Sequence, residues 1–228
     1  MRSSLAPFAL LLSLLAAWPA AADYRTAVEA YQAGRFEEAC AEFAVLVQES
    51  PAYDFGHFVV GQCAAAERRY EEALLHLEAA VELNPGRADY ACQLAGQYLR
   101  AMRYADALVV LDAVADGIDD RLRYSFHSGR GLAYAALERW DEALSELREA
   151  DRARPEQWRV VDRIGLTLFG LKRYDEALPF LRRSVEMRPD NASGQRLLAE
   201  ALIRGGPEQN RAKSYAEALQ AARAYRES

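Results

Sequence analysis

A chain of 228 residues with 51% hydrophobic and 27% charged side chains has the composition of an ordinary soluble globular protein. Its formal net charge of −6 opposes binding to a phosphate backbone, so nucleic acid is not an expected partner. No Gly-rich phosphate loop, His-Glu-x-x-His, Cys-x-x-Cys or Gly-x-Ser-x-Gly occurs, which argues against the familiar enzyme classes and against a bound cofactor.

Residues 1–22 differ in kind from the rest. Arg2 gives a positive start, Phe8 to Ala17 is an almost purely apolar run, and Pro19-Ala20-Ala21-Ala22 offers small residues for cleavage before Asp23. This pattern predicts a secretory signal peptide, because the run is too short to span a bilayer comfortably. No later segment approaches a transmembrane length, so no stable membrane insertion is expected after cleavage. The mature chain loses Arg2 and no acid, leaving 27 basic against 34 acidic residues, or −7. An exported protein is expected, periplasmic or secreted.

After the leader one phrase recurs. Arg35-Phe36-Glu37-Glu38-Ala39 returns as Arg69-Tyr70-Glu71-Glu72-Ala73, Arg103-Tyr104-Ala105-Asp106-Ala107, Arg139-Trp140-Asp141-Glu142-Ala143 and Arg173-Tyr174-Asp175-Glu176-Ala177. The aromatic positions are 34 residues apart except for one interval of 36, between Tyr104 and Trp140. A fixed period of this length marks stacked helical repeats. Each phrase suits a corner between two helices. The Arg closes the preceding helix against its exposed carbonyls, and the acidic residues open the next one. Phe43, Leu77, Leu111, Leu147 and Leu181 lie one helical turn beyond the corner Ala. Pro51, Pro85, Pro155 and Pro189 then stop the helix, with Asp119 in that place in the third copy.

Upstream of each corner a bulky residue stands beside a small one: Val60-Gly61, Leu94-Ala95, Ile164-Gly165 and Leu198-Ala199, with Arg130-Gly131 as the departure. Arg130 must snorkel or find a carboxylate. The two extra residues fall in the polar turn Gly117 to Arg121, where they are expected to lengthen a loop without breaking a helix. Pro179 lies inside a second helix and predicts a slight kink there. His57 and His127 occupy equivalent positions, which points to packing rather than to a metal site.

With these residues in hand, the chain resembles the tetratricopeptide repeat (TPR) family. The resemblance implies an all-α fold, an α-solenoid wound as a right-handed superhelix of about six helix-turn-helix repeats. The repeats would span about 23–53, 54–87, 88–121, 124–157, 158–191 and 192–228. The last is closed by a capping helix from Glu208 to Tyr225, since a solenoid must shield its terminal apolar face. In such a stack Cys40 and Cys63 fall on adjacent helices at similar height, and export would place them in an oxidising compartment. A Cys40–Cys63 disulfide with Cys92 free is one expectation; three small buried hydrophobes is the other.

The resemblance also implies a function. First helices line a concave groove, and counting from the corners names its residues. Tyr24, Val28, Tyr31, Phe55, Phe58, Val59 and Gln62 make an apolar half. Gln93, Leu99, Arg100, Arg159, Asp162, Arg163, Leu166, Phe169, Arg196 and Arg204 make an Arg-rich half. Such a groove suits an extended peptide or a helix with apolar anchors and carboxylates. Tyr24, Val28 and Val59 stand where chaperone-binding members carry a Lys/Asn clamp, so that subtype is not expected. The expected protein is therefore a non-enzymatic interaction scaffold with a protein or peptide partner. A self-associating subunit, joined through its terminal helices, is the alternative, and an enzyme of unrecognised type the remote one.

Overall fold

The computed structural model describes residues 24–205, and every element in them is helical. The leader and the expected capping helix lie outside the described residues. The chain divides into two compact units, with the boundary between Leu83 and Asn84.

The first unit contains α1 (Tyr24–Gln32), α2 (Phe36–Glu49), α3 (Asp54–Ala66) and α4 (Tyr70–Leu83). The second contains α5 (Ala88–Arg100), α6 (Tyr104–Asp112), α7 (Asp120–Ala136), α8 (Trp140–Ala153), α9 (Trp158–Gly170), α10 (Tyr174–Met187) and α11 (Ala192–Gly205). Where a proline punctuates the sequence, the helix before it stops two residues short. Thus α2 ends at Glu49, α4 at Leu83, α8 at Ala153 and α10 at Met187. Pro179 sits inside α10, which runs unbroken past it.

Every corner is closed in the same way. One residue adopts a left-handed conformation, Gly34 at φ 73°, Arg68 at 63°, Met102 at 59°, Glu138 at 58° and Lys172 at 59°. The next residue, the corner Arg, sends its backbone N–H back to a carbonyl five positions earlier, as from Arg69 to Ala64 (2.8 Å) and Arg139 to Tyr134 (2.9 Å). This arrangement satisfies the carbonyls that the end of an α-helix leaves open.

The corner Arg side chain does something other than the sequence suggests. Instead of meeting the preceding helix end, it reaches forward to the acid three residues on, in the first turn of the next helix. Arg35 pairs with Glu38 (2.7 Å), Arg103 with Asp106 (2.6 Å), Arg139 with Glu142 (2.8 Å) and Arg173 with Glu176 (2.7 Å), and Arg69 with Glu72. Two of these guanidinium groups also lie over the preceding Tyr, Arg103 on Tyr98 and Arg139 on Tyr134. The pairs are exposed, so they set local geometry more than stability.

The two-residue insertion also departs from expectation, because it changes the helices as well as the loop. Helix α6 stops at Asp112, a short 3-10 turn covers Ala115–Gly117, and α7 starts early and runs for 17 residues. Asp119 makes this early start favourable, since its carboxylate accepts from the backbone N–H of Leu122 (3.0 Å).

Within each hairpin the core is a knob and a hole. A Cβ built on Gly61 would lie 2.7 Å from Leu77, one on Gly131 2.7 Å from Leu147, and one on Gly165 2.8 Å from Leu181. The three leucines are essentially sealed, and each such side chain contributes about 1.5–3 kcal/mol by leaving water. Arg130 finds carboxylates, Asp112 at 3.3 Å and Glu146 at 3.4 Å, with its guanidinium over Phe126. The equivalent histidines are likewise held between the helices of a hairpin. His57 Nδ1 lies 3.0 Å from His76 Nδ1, and His127 Nδ1 lies 2.7 Å from Glu146.

Candidate functional site

Within each unit, successive hairpins meet at the corners, and there the sequence leaves a crevice. The corner aromatic of one hairpin faces the last turn of the first helix in the next. Whether the crevice stays open depends on what that last turn carries and on the size of the corner aromatic. At the α8–α9 corner, Trp140 packs so closely on Gly170 that a Cβ there would be 2.9 Å from the indole. At the α10–α11 corner, the Arg204 guanidinium lies over Phe169 and Tyr174 and donates to the Tyr174 hydroxyl (3.2 Å). Both crevices are filled.

At two other corners the plug is an alanine. In the first unit Tyr31, Phe36, Gln62 and Ala66 line a pocket of about 390 Å³ together with Val59, Cys40 and Cys63. In the second unit the equivalent residues, Leu99, Tyr104, Leu132 and Ala136, line a pocket of about 230 Å³ with Arg163 and Leu166. An alanine leaves vacant the space that an arginine or a tryptophan takes up elsewhere. Concave apolar pockets with one or two polar groups at the edge are what recognition sites are made of.

The two pockets differ in charge. Glu37 and Glu67 border the first, and their equivalents in the second are Ala105 and Leu137. The second is bordered by Arg163, whose guanidinium has no ion pair or hydrogen bond among the described residues. In the first pocket the wall between α2 and α3 is covalent. Cys40 and Cys63 form a disulfide, with their Cα atoms 6.0 Å apart. Cys40 stands where the later hairpins carry Leu74, Leu108, Leu144 and Leu178, the first half-buried and the other three buried. The bridge therefore replaces an apolar contact between hairpins. Cys92 remains a thiol, pushed up to about 11 by burial and by Asp89 and Asp119, so it is protonated at neutral pH and a poor nucleophile. Among the described residues no group of three or more His, Cys, Asp or Glu side chains comes together in a way that could hold a metal.

A tetratricopeptide repeat family model matches residues 159–191, which cover α9 and α10. The fold is matched by solved structures over most of the chain. YrrB, described as a TPR protein with an unusual peptide-binding site, is 17% identical over 78% of this chain and 91% of its own, with a TM-score of 0.64. MamA MSR-1 is 22% identical over 75% and 97%, at 0.61, and MamA AMB-1 is 23% identical over 73% and 90%, at 0.60. Residues 159–191 thus match a tetratricopeptide repeat, and the fold is that of these TPR structures. A comparison with curated proteins returned no match. As in those structures, the fold is an all-α solenoid built of helical hairpins.

The residues expected to face a partner are dispersed by the packing of the hairpins. In the first unit, Phe58 (5% exposed) belongs to the core, which corrects the expectation that it offers a partner open surface, and Val59 (1%) is buried apart from what it contributes to the lining of a crevice. Phe55 packs edge-on against Phe43 (5.4 Å) and Tyr31 (5.5 Å), and Tyr24 against Tyr53 (5.5 Å). The apolar half is thus mostly an aromatic cluster closed on itself. Val28 is half-buried. Tyr31, Val59 and Gln62 line the first crevice, where the Tyr31 hydroxyl donates to Gln62 (3.1 Å).

In the second unit, Leu99, Arg163 and Leu166 come together in the second crevice. Gln93 and Arg100 are exposed outside it. Asp162 is occupied within the fold, accepting from Ser184 and Asn191 (2.8 Å each). Arg159 lies beside Trp158, Arg196 pairs with Glu200 (3.4 Å), and Arg204 and Phe169 fill the last corner. Sequence reasoning missed Phe36, Ala66, Tyr104, Leu132 and Ala136. The signal that finds them is the pairing, within each unit, of the corner aromatic with the last-turn residue of the next hairpin: Phe36 with Ala66 and Tyr104 with Ala136, against Trp140 with Gly170 and Tyr174 with Arg204.

Proposed function

We propose that the protein is an exported, non-enzymatic scaffold that docks a segment of a partner protein in the crevice of its second unit. An apolar side chain of the partner enters beside Leu99, Tyr104 and Leu132, and a carboxylate of the same segment meets Arg163. The observation that carries this reading is the conjunction of an open crevice at Ala136 with a guanidinium uncommitted among the described residues. A charged hydrogen bond at the edge of an apolar pocket gives orientation as well as affinity. Export is supported by the leader-like residues 1–22 and by the Cys40–Cys63 bridge, since disulfides persist in oxidising compartments.

The test is capture of partners by the mature chain from its native compartment, compared with Arg163→Glu and Ala136→Trp. The first reverses the charge and the second fills the crevice. Both variants are expected to keep the helical circular dichroism and to lose the retained partners. Partners that are retained equally by both variants would rule the second crevice out as the docking site.

A further inference from the structure

The crevice of the first unit is open like that of the second but opposite in charge. Phe36, the aromatic at its corner, is 62% exposed. Glu67 at the border is paired with Arg69 (2.8 Å), whereas Glu37 has no ion pair or hydrogen bond among the described residues. A cavity of about 390 Å³ lined by Tyr31, Phe36, Val59 and the Cys40–Cys63 bridge has room for one large side chain. The bridge joins α2 to α3, the two helices that form its walls, so the cavity is held without an occupant. This lowers the ordering cost of binding.

We propose that this crevice is a second docking site, taking an apolar side chain flanked by Lys or Arg on a partner protein. The apolar group enters between Tyr31, Phe36 and Val59. The neighbouring cation meets the Glu37 carboxylate, with the open face of Phe36 as a further attraction. The proposal shares the docking reading given above but uses a different unit and the opposite charge, so either can fail without the other.

The probe is acetyl-Lys-Phe-Lys-amide, titrated against the oxidised, isotope-labelled mature chain and followed by amide chemical shifts. Acetyl-Glu-Phe-Glu-amide and acetyl-Lys-Ala-Lys-amide serve as comparators. The expected result is that amides around Val59, Gln62 and Ala66 shift, and that the first peptide binds at least about fivefold more tightly than either comparator. Glu37→Lys should remove that preference, Ala66→Trp should abolish the shifts, and Arg163→Glu should leave them unchanged. Equal response to the Lys and Glu peptides, shifts confined to other helices, or binding that survives Glu37→Lys would overturn the proposal. So would shifts at the crevice that track protein concentration and not peptide, which would mark the occupant as a second copy of the chain.

Discussion

Position 131 in α7 carries no side chain because Leu147 of α8 occupies the space that one would need. A Cβ there would stand 2.7 Å from Leu147 Cγ and 3.2 Å from its backbone nitrogen, and the backbone atom cannot swing aside. The equivalent positions 95 and 199 carry alanine, so one methyl is tolerable in this register and a branched side chain is not. Gly131→Val is expected to cost about 1–3 kcal/mol in urea denaturation, whereas a valine at the open Gly86, with nothing within 4 Å of its Cβ, meets no such clash.

The histidine pair in the first unit gives a second expectation at the same scale. Burial, and then the neighbouring His57, hold His76 below the usual imidazole range; Glu72 opposes this and Arg69 adds to it. His57 Nε2 lies 3.0 Å from the Pro51 carbonyl, which suits it as the donor there, so its Nδ1 accepts from His76 Nδ1–H. A histidine whose folded pKa lies below its unfolded value binds protons more readily when unfolded. Its stabilisation is therefore present above about pH 6.5 and is lost as the pH falls through the folded value. The urea midpoint of the first unit should decline from pH 7 to pH 5, and His76→Gln should flatten that decline. The effect should be small, since His76 is only partly buried and its interactions are screened by solvent.

At the scale of elements, the Cys40–Cys63 bridge closes a loop with a sequence separation of 23. Restricting the unfolded chain over such a loop is worth about 3 kcal/mol. Reduction should therefore speed hydrogen exchange in α2 and α3 by on the order of a hundredfold, while amides of α8 to α10 keep their protection. Equal acceleration in both sets would show that the bridge stabilises more than the hairpins it joins. The α6–α7 region shows how far an element can be re-cut without loss of the repeat. Asp119 moves the start of α7 about one turn early, α6 ends at Asp112, and Leu111 and Leu147 still reach the core.

At the scale of the whole molecule, the leader-like segment and the bridge make one combined expectation. Expressed with residues 1–22 intact, the protein should be recovered from the exported fraction with a mass that begins near Asp23 and lacks two thiol hydrogens. Recovery from the cytosol with three alkylatable thiols would refute export.

The hairpins themselves were legible in the amino-acid sequence, because a 34-residue period in Arg, aromatic, acid and alanine states the same local problem five times, with one solution each time. The proline stops and the small–large pairing at Gly61, Gly131 and Gly165 were legible for the same reason, since each depends on neighbours within one hairpin. What faces a partner was decided only by the tertiary structure. Phe58 looks like surface when counted from a corner, yet aromatic packing against Phe55 draws it into the core. The role of Ala66 and Ala136 lies in a side chain that is missing, and an absence becomes a pocket only when the next hairpin supplies the other wall.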